Sequence, residues 1–518
     1  MVSIAQWMVV KSLGSVAVAI LMAICAAAAP ANAAMNQTVQ VQGGLVSGAP
    51  GLDPAITIYK GIPYAAPPVE DRRWREPQPP EPWDGVREAV QFSSPCLGFK
   101  QRTTVVGVED CLYLNVWTGA ASTDERRPVV FWTYEDGFYG NDSANPLWEG
   151  EGLARKGVIV VTFNYRAGVM GWLATSELSH ESGRNVSGNY GLLDQIAALK
   201  WVHDNIAAFG GDPDRVTVAG QSAGGLSALL LISSPLTEGL YHRAILQSRA
   251  RGLTPSMADA EARGMEYLQG HGSPTLQQLR AMPAEELKRG DTFGMPVVDG
   301  WVVPSDFYQL FDKGLQHDVP VLIGQNEDES GARPNLTMTL AAYRNMAQRR
   351  FGAASQEFLA LYPATSDDEA GAMMNEVIRQ DNRITNFLLA TQGEHAAANK
   401  SYLYFWNHAP PGPNSQRLGA FHGSELNYVF NNFYASDRPW TDEDRRIADI
   451  MSSYWANFAA NGDPNGDGLP AWDPVDPASP VTMELGDRFG PIPVADGAEI
   501  DFVRRYYLAN DASGGYRP

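Results

Sequence analysis

Unbroken apolar runs punctuate this chain. Residues 128–132, 158–163, 216–219, 319–323 and 402–406 are apolar or β-branched at almost every consecutive position, not at every second one. A strand with one wet face alternates, whereas a strand covered on both faces does not. Between these runs the period changes. Leu192, Ile196, Leu199, Val202 and Ile206 recur at three- and four-residue spacing, which puts one apolar face on a helix over 191–208. Residues 444–458 predict a second long amphipathic helix. Shorter strands are expected at 39–46, 56–59 and 112–116, and the proline-rich stretch 63–82 must run as surface loop. Strands alternating with helices predict an α/β domain with a mostly parallel sheet covered on both faces. Residues 257–295 and 340–397 read as charged helical insertions over one end of that sheet. No internal repeat or low-complexity linker divides the chain, so one domain is expected over 34–518.

The first 33 residues have a different character. Lys11 precedes an apolar stretch over 13–29, and Ala31-Asn32-Ala33 supplies a small-residue cleavage site. This predicts a secretory signal peptide over 1–33 and a secreted or periplasmic protein. No later stretch is long and apolar enough to span a membrane. Cleavage removes Cys25 and leaves Cys96 and Cys111, which an oxidising compartment permits to bridge. The net charge of -20 argues against a nucleic-acid partner. Alanine, glycine and arginine are favoured over lysine, a bias that points to a GC-rich bacterial source.

The candidate chemistry lies in Gly220-Gln221-Ser222-Ala223-Gly224, between the strand 216–219 and the apolar stretch 225–231. A G-x-S-x-G turn between strand and helix exposes a serine on a strained backbone that only small neighbours permit. It also sets the serine at a helix N-terminus, where free N–H groups favour developing negative charge. Such a serine needs a general base and a group to orient that base. Of the histidines downstream, His422 sits in a glycine-flanked loop after a buried strand, where the glycines would let the ring swing towards the sheet edge; His408 is the runner-up. For the acid, Glu327, Asp328 and Glu329 stand in a row after the strand 319–323, and physical reasoning alone does not choose among them.

Further motifs narrow the choice. Lys60-Gly61-Ile62-Pro63-Tyr64-Ala65, Glu109-Asp110-Cys111-Leu112-Tyr113-Leu114-Asn115-Val116, Asn164-Tyr165-Arg166, Gly188-Asn189-Tyr190-Gly191-Leu192-Leu193-Asp194-Gln195 and Phe209-Gly210-Gly211-Asp212-Pro213 occur in order before the serine turn. Pro296-Val297-Val298-Asp299-Gly300, the 324–329 loop and the His422 loop follow it. With these motifs the chain resembles the type-B carboxylesterases, the family that includes the cholinesterases, over about residues 39–472. The resemblance implies an α/β-hydrolase fold, a small-molecule ester substrate and no cofactor or metal. It matches Ser222 to the nucleophile, Glu329 to the triad acid, His422 to the base, and Asp136, Gly137 and Ala223 to the oxyanion-hole donors. It also matches Cys96 and Cys111 to a family disulfide, and Ser248 and Glu425 to polar residues behind the triad.

The chain departs from the family pattern at several points. Tyr134-Glu135-Asp136-Gly137 carries two acidic residues where the family has glycines, and a carboxylate near a forming oxyanion opposes it. The side chains are expected to point away from the oxyanion; if they do not, turnover falls. Were the hole lost, the chain would be a non-catalytic binding protein on the same fold, as some family members are. Gln221 stands where the family often has glutamate. The loop between Cys96 and Cys111 lacks tryptophan, so choline esters are not expected as substrates. Arg249 and Arg251 follow Ser248 where glycine is usual; they either neutralise Glu135 and Asp136 or bind a substrate carboxylate bidentately.

Overall fold

A computed structural model describes residues 38–100, 104–135, 137–140, 142–249, 254–305, 314, 316–391 and 399–511. The signal-peptide expectation over 1–33, Asp136 and Arg251 lie outside the described residues. The strands, in chain order, are β1 (Thr38–Val41), β2 (Gly44–Ser47), β3 (Ala49–Pro50), β4 (Thr57–Pro63), β5 (Val86–Glu88), β6 (Gly98–Lys100), β7 (Thr104–Val106), β8 (Tyr113–Thr118), β9 (Arg127–Thr133), β10 (Ile159–Phe163), β11 (Gly211–Gln221), β12 (Arg243–Gln247), β13 (Val321–Asn326), β14 (Ser401–Trp406), β15 (Val481–Leu485) and β16 (Gly490–Pro493).

The main sheet has 11 strands in the order β16-β15-β14-β13-β12-β11-β9-β10-β8-β4-β3. From β15 to β10 every neighbouring pair is parallel. The flanking pairs β10–β8, β8–β4, β4–β3 and β15–β16 are antiparallel. The continuous apolar runs form the parallel centre, as expected. One row across it aligns Val161, Phe131, Val218, Ala244 and Val321. Every residue of β10 is buried, so both faces of the sheet are covered.

The element ends moved for local reasons. The stretch 39–46 is a hairpin, not one strand, because Gln42 and Gly43 turn β1 back onto β2. β13 starts at Val321 because Pro320 has no N–H for the ladder, although its carbonyl still accepts from Ala244 N. The helix expected over 444–458 runs Asp442–Asn461. It begins at a Thr441/Asp444 capping box and ends at Gly462 in the left-handed region, φ 72°.

The two insertions separate. The helix Asp367–Thr391 packs on β13 and β14, and side chains from 336–382 roof the cavity over Ser222. The helices Met257–Gly270, Leu276–Ala281 and Ala284–Leu287 contribute no residue to that cavity; a side chain at Gly264 would strike Ala174 O at 1.8 Å. Among the described residues no helix is long and apolar enough to cross a membrane.

Cys96 and Cys111 are bridged, 15 apart in sequence, across the β6–β7 hairpin. Closing a loop of that length restricts the unfolded chain by about 3 kcal/mol. A Cys96→Ala/Cys111→Ala protein is therefore expected to lose about 3 kcal/mol of unfolding free energy, read as a lower urea midpoint.

Candidate active site

β11 delivers Ser222 to the edge of a cavity of about 1110 Å³. The serine has φ 58° and ψ -117°, a conformation costly for any residue with a Cβ, and the helix Ala223–Leu231 starts immediately after it. Its N–H donates to Gln247 O at 2.9 Å. The flanking glycines are required by contact. A Cβ on Gly224 would lie 1.9 Å from Thr133 O, and one on Gly220 would lie 2.4 Å from Gly224 and 2.6 Å from Thr133 O. Two neighbouring strands and the helix start thus meet at backbone distance around the serine.

Glu329 and His422 line the same cavity. His422 Nδ1 is 2.5 Å from Glu329 Oε2, and Glu329 Oε1 accepts from Asn326 N at 2.9 Å. The row of acids is divided by partners. Glu327 and Asp328 pair with Arg379 at 3.1 and 2.6 Å, leaving Glu329 to the histidine. The acid loop and the histidine loop are zipped together: Asp328 N donates to Ala420 O, Ala420 N to Asp328 Oδ2, and Asn326 Nδ2 to Phe421 O. Gly419, at φ 62°, therefore does not free the ring to swing. A Cβ there would sit 1.9 Å from Asp328 Oδ2, so glycine admits the zipper that holds the loop still.

Electrostatics around His422 favour the imidazolium. Burial opposes the charge, but the hydrogen bond and charge of Glu329, with smaller contributions from Glu135 and Glu425, push the ring up to about 9. The side chain is 44 % exposed, but it opens onto the cavity wall beside Ser222. Glu425 lies wholly buried, where desolvation pushes its carboxyl up to about 7; it accepts from Gln247 Nε2 at 3.0 Å and Asn326 Nδ2 at 2.6 Å. Trp455 Nε1 in turn donates to Gln247 Oε1. The runner-up His408 lies in another cluster, between Asp487 and Asp444, where it ties the end of β14 to the start of the helix Asp442–Asn461.

Of the remaining candidates, Ser248 and Arg249 line the cavity, and both are buried. Gln221 Nε2 lies 3.4 Å from each ring nitrogen of His422, too long and too evenly shared to bond either one, so the amide rests against the ring. Gly137 has φ 58°, a turn only glycine adopts without strain, and Ala223 opens the helix behind Ser222. Sequence reasoning missed Gln247 and Asn326. Their signal was a polar residue closing an apolar strand run at the edge where such sheets hold their sites. It also missed Arg349, Arg350 and the methionines 338, 346 and 374 on the cavity wall, which carry no local signature.

The model of the carboxylesterase family matches residues 35–494. The fumonisin B1 esterase of Sphingopyxis macrogoltabida is 38% identical over 454 residues, covering 82% of this chain and 82% of the relative. The para-nitrobenzyl esterase of Bacillus subtilis (strain 168) is 32% identical over 464 residues, covering 83% of this chain and 91% of the relative. A solved PNB esterase superposes with TM-score 0.75 at 30% identity, covering 91% of this chain and 100% of that one. With the parallel sheet, the strained serine turn and these relatives together, this chain belongs to the type-B carboxylesterase family, α/β-hydrolases that cleave carboxylic esters.

Proposed function

We propose that the chain hydrolyses carboxylic esters through an acyl-enzyme on Ser222, with His422 as base and Glu329 as the acid that orients it. The observation that supports this most directly is the 2.5 Å contact of Glu329 with His422 Nδ1 in the cavity that also holds Ser222. Glu329 fixes the proton on Nδ1 and leaves Nε2 to take the serine proton as Ser222 attacks the ester carbonyl. The imidazolium then protonates the leaving alcohol, and water repeats the sequence on the acyl-enzyme. The backbone N–H groups of Asp136, Gly137 and Ala223 are read as the donors to the oxyanion. Gln221 against the imidazole, Ser248 on the cavity wall and the buried Glu425 are read as supports of the three principal residues. The disulfide Cys96–Cys111 supports passage of the protein through an oxidising compartment, with residues 1–33 as the export signal.

Buried Arg249 on the cavity wall favours esters that carry a free carboxylate, with Arg251 as a second candidate contact. The test is a panel of neutral and carboxylate-bearing p-nitrobenzyl esters together with fumonisin B1, with Ser222→Ala as the blank. Arg249→Ala is expected to lower kcat/KM for the acidic esters about tenfold or more relative to the neutral ones, the loss of one charge-assisted bond. An unchanged ratio removes the carboxylate preference. A wild type that does not exceed the blank on any ester supports the binding-protein reading instead.

A further inference from the structure

Of the two acidic residues after β9, Glu135 lies on the side of the histidine loop. Tyr134 turns inward and stacks between Trp148 and Tyr165, with ring centroids 5.9 and 4.8 Å away. Glu135 reaches towards the histidine loop. A Cβ placed on Gly423 would be 3.3 Å from Glu135 Oε2 and 3.9 Å from Gln221 Nε2. Glu135 and Gln221 therefore share one niche against Gly423, the neighbour of His422, and Gln221 is the side chain that rests on the imidazole.

We propose that Glu135 is a positioning residue of the ester-hydrolysis site: its carboxylate, packed beside His422, is a second counter-charge that joins Glu329 in stabilising the imidazolium formed when Ser222 gives up its proton. The proposal rests on the triad reading above. A negative charge at this place lies beside the group that becomes positive when Ser222 gives up its proton. Gln221 is neutral, so it adds no second carboxylate beside Glu135, and like-charge repulsion between these two positions is avoided. Glu329 faces the ring from the loop after β13, Glu425 from its own loop, and Ser222 and Gln221 from the turn after β11. Arg249, after β12, lines the same cavity, and Tyr404 of β14 lies near Glu425 and Glu329. Burial pushes the Glu135 carboxyl up and His422 draws it back down, the reciprocal of its effect on the ring.

The test is the pH dependence of kcat/KM for the full protein on a neutral p-nitrobenzyl ester, whose acidic limb reports the base in the free enzyme. Glu135→Gln keeps the shape and removes the charge. Its limb is expected to move down by about one pH unit, with kcat on the alkaline plateau down about tenfold and KM little changed. Adding Gln221→Glu to that variant returns a carboxylate to the same niche and is expected to restore the limb. Gln221→Glu alone is expected to move the limb up by a similar amount, which keeps the idea testable if Glu135→Gln does not fold. An unmoved limb in Glu135→Gln, or in Gln221→Glu alone, overturns the proposal; so does a lower plateau at an unmoved limb, the result for a residue that only shapes the loop. The triad reading fails separately, through activity that survives Ser222→Ala.

Discussion

Ser222→Ala is expected to abolish ester turnover, lowering kcat by roughly 10⁶-fold and leaving only what binding and the oxyanion donors supply without a nucleophile. The fold around position 222 does not depend on the hydroxyl. The turn is held by backbone: Ser222 N donates to Gln247 O, Leu226 N donates to Ser222 O, and Gly220 and Gly224 pack at contact distance on Thr133. Alanine pays the same backbone strain as serine at φ 58°. The thermal midpoint should therefore stay where it is while turnover disappears, and this separates a chemical loss from a folding loss. Turnover within tenfold of wild type would remove Ser222 from the mechanism.

Glu329→Gln is expected to lower kcat by about 10⁴-fold, with a smaller effect on KM. The reason lies in which oxygen does what. Oε1 accepts from the Asn326 N–H while Oε2 meets His422 Nδ1. A glutamine that keeps its carbonyl on the Asn326 N–H must turn its amide NH₂ towards Nδ1. That nitrogen then becomes an acceptor, the ring proton moves to Nε2, and Nε2 can no longer accept the proton of Ser222. Flipping the amide restores the tautomer but sets NH₂ against N–H at Asn326, a buried donor facing a donor. Glu327→Gln is the control: Glu327 pairs with Arg379, away from the ring, and its loss should change kcat less than threefold. Equal losses from the two substitutions would show that the negative charge of the loop matters and not the contact with the histidine.

Much of this site could be read in one dimension because its parts are local. A strained serine turn needs small residues within two positions of the serine, so Gly220, Ala223 and Gly224 announce it. The parallel sheet shows as continuous apolar runs because both of its faces are buried. The family resemblance carried by the ordered motifs matched Glu329 and His422, where the residues by themselves left their neighbours equally suitable. What separates Glu329 from Glu327 physically is Arg379, a residue of the helix Asp367–Thr391, and no spacing rule connects them. His408 and His422 both follow β14 in the chain, but only the pairing of Ala420 with Asp328 brings one of them to the cavity.

Glu135 marks the boundary between the two kinds of information. Its identity, and the absence of a second carboxylate at position 221, are written in the chain. Whether that charge would hinder the reaction or help it depends on a direction in space, because Coulomb energy changes sign with the charge it faces and falls with distance. The loop after β9 and the loop carrying His422 are far apart in sequence, and they meet only because β9 lies beside β11 and the His422 loop is fastened to the end of β13. Local sterics and burial patterns therefore made the turn and the strands legible in the residues, and the ordered motifs carried the resemblance that implied the class of chemistry. The contact of Glu329 with His422, and the place of Glu135 against Gly423, come from packing between segments that the chain keeps apart.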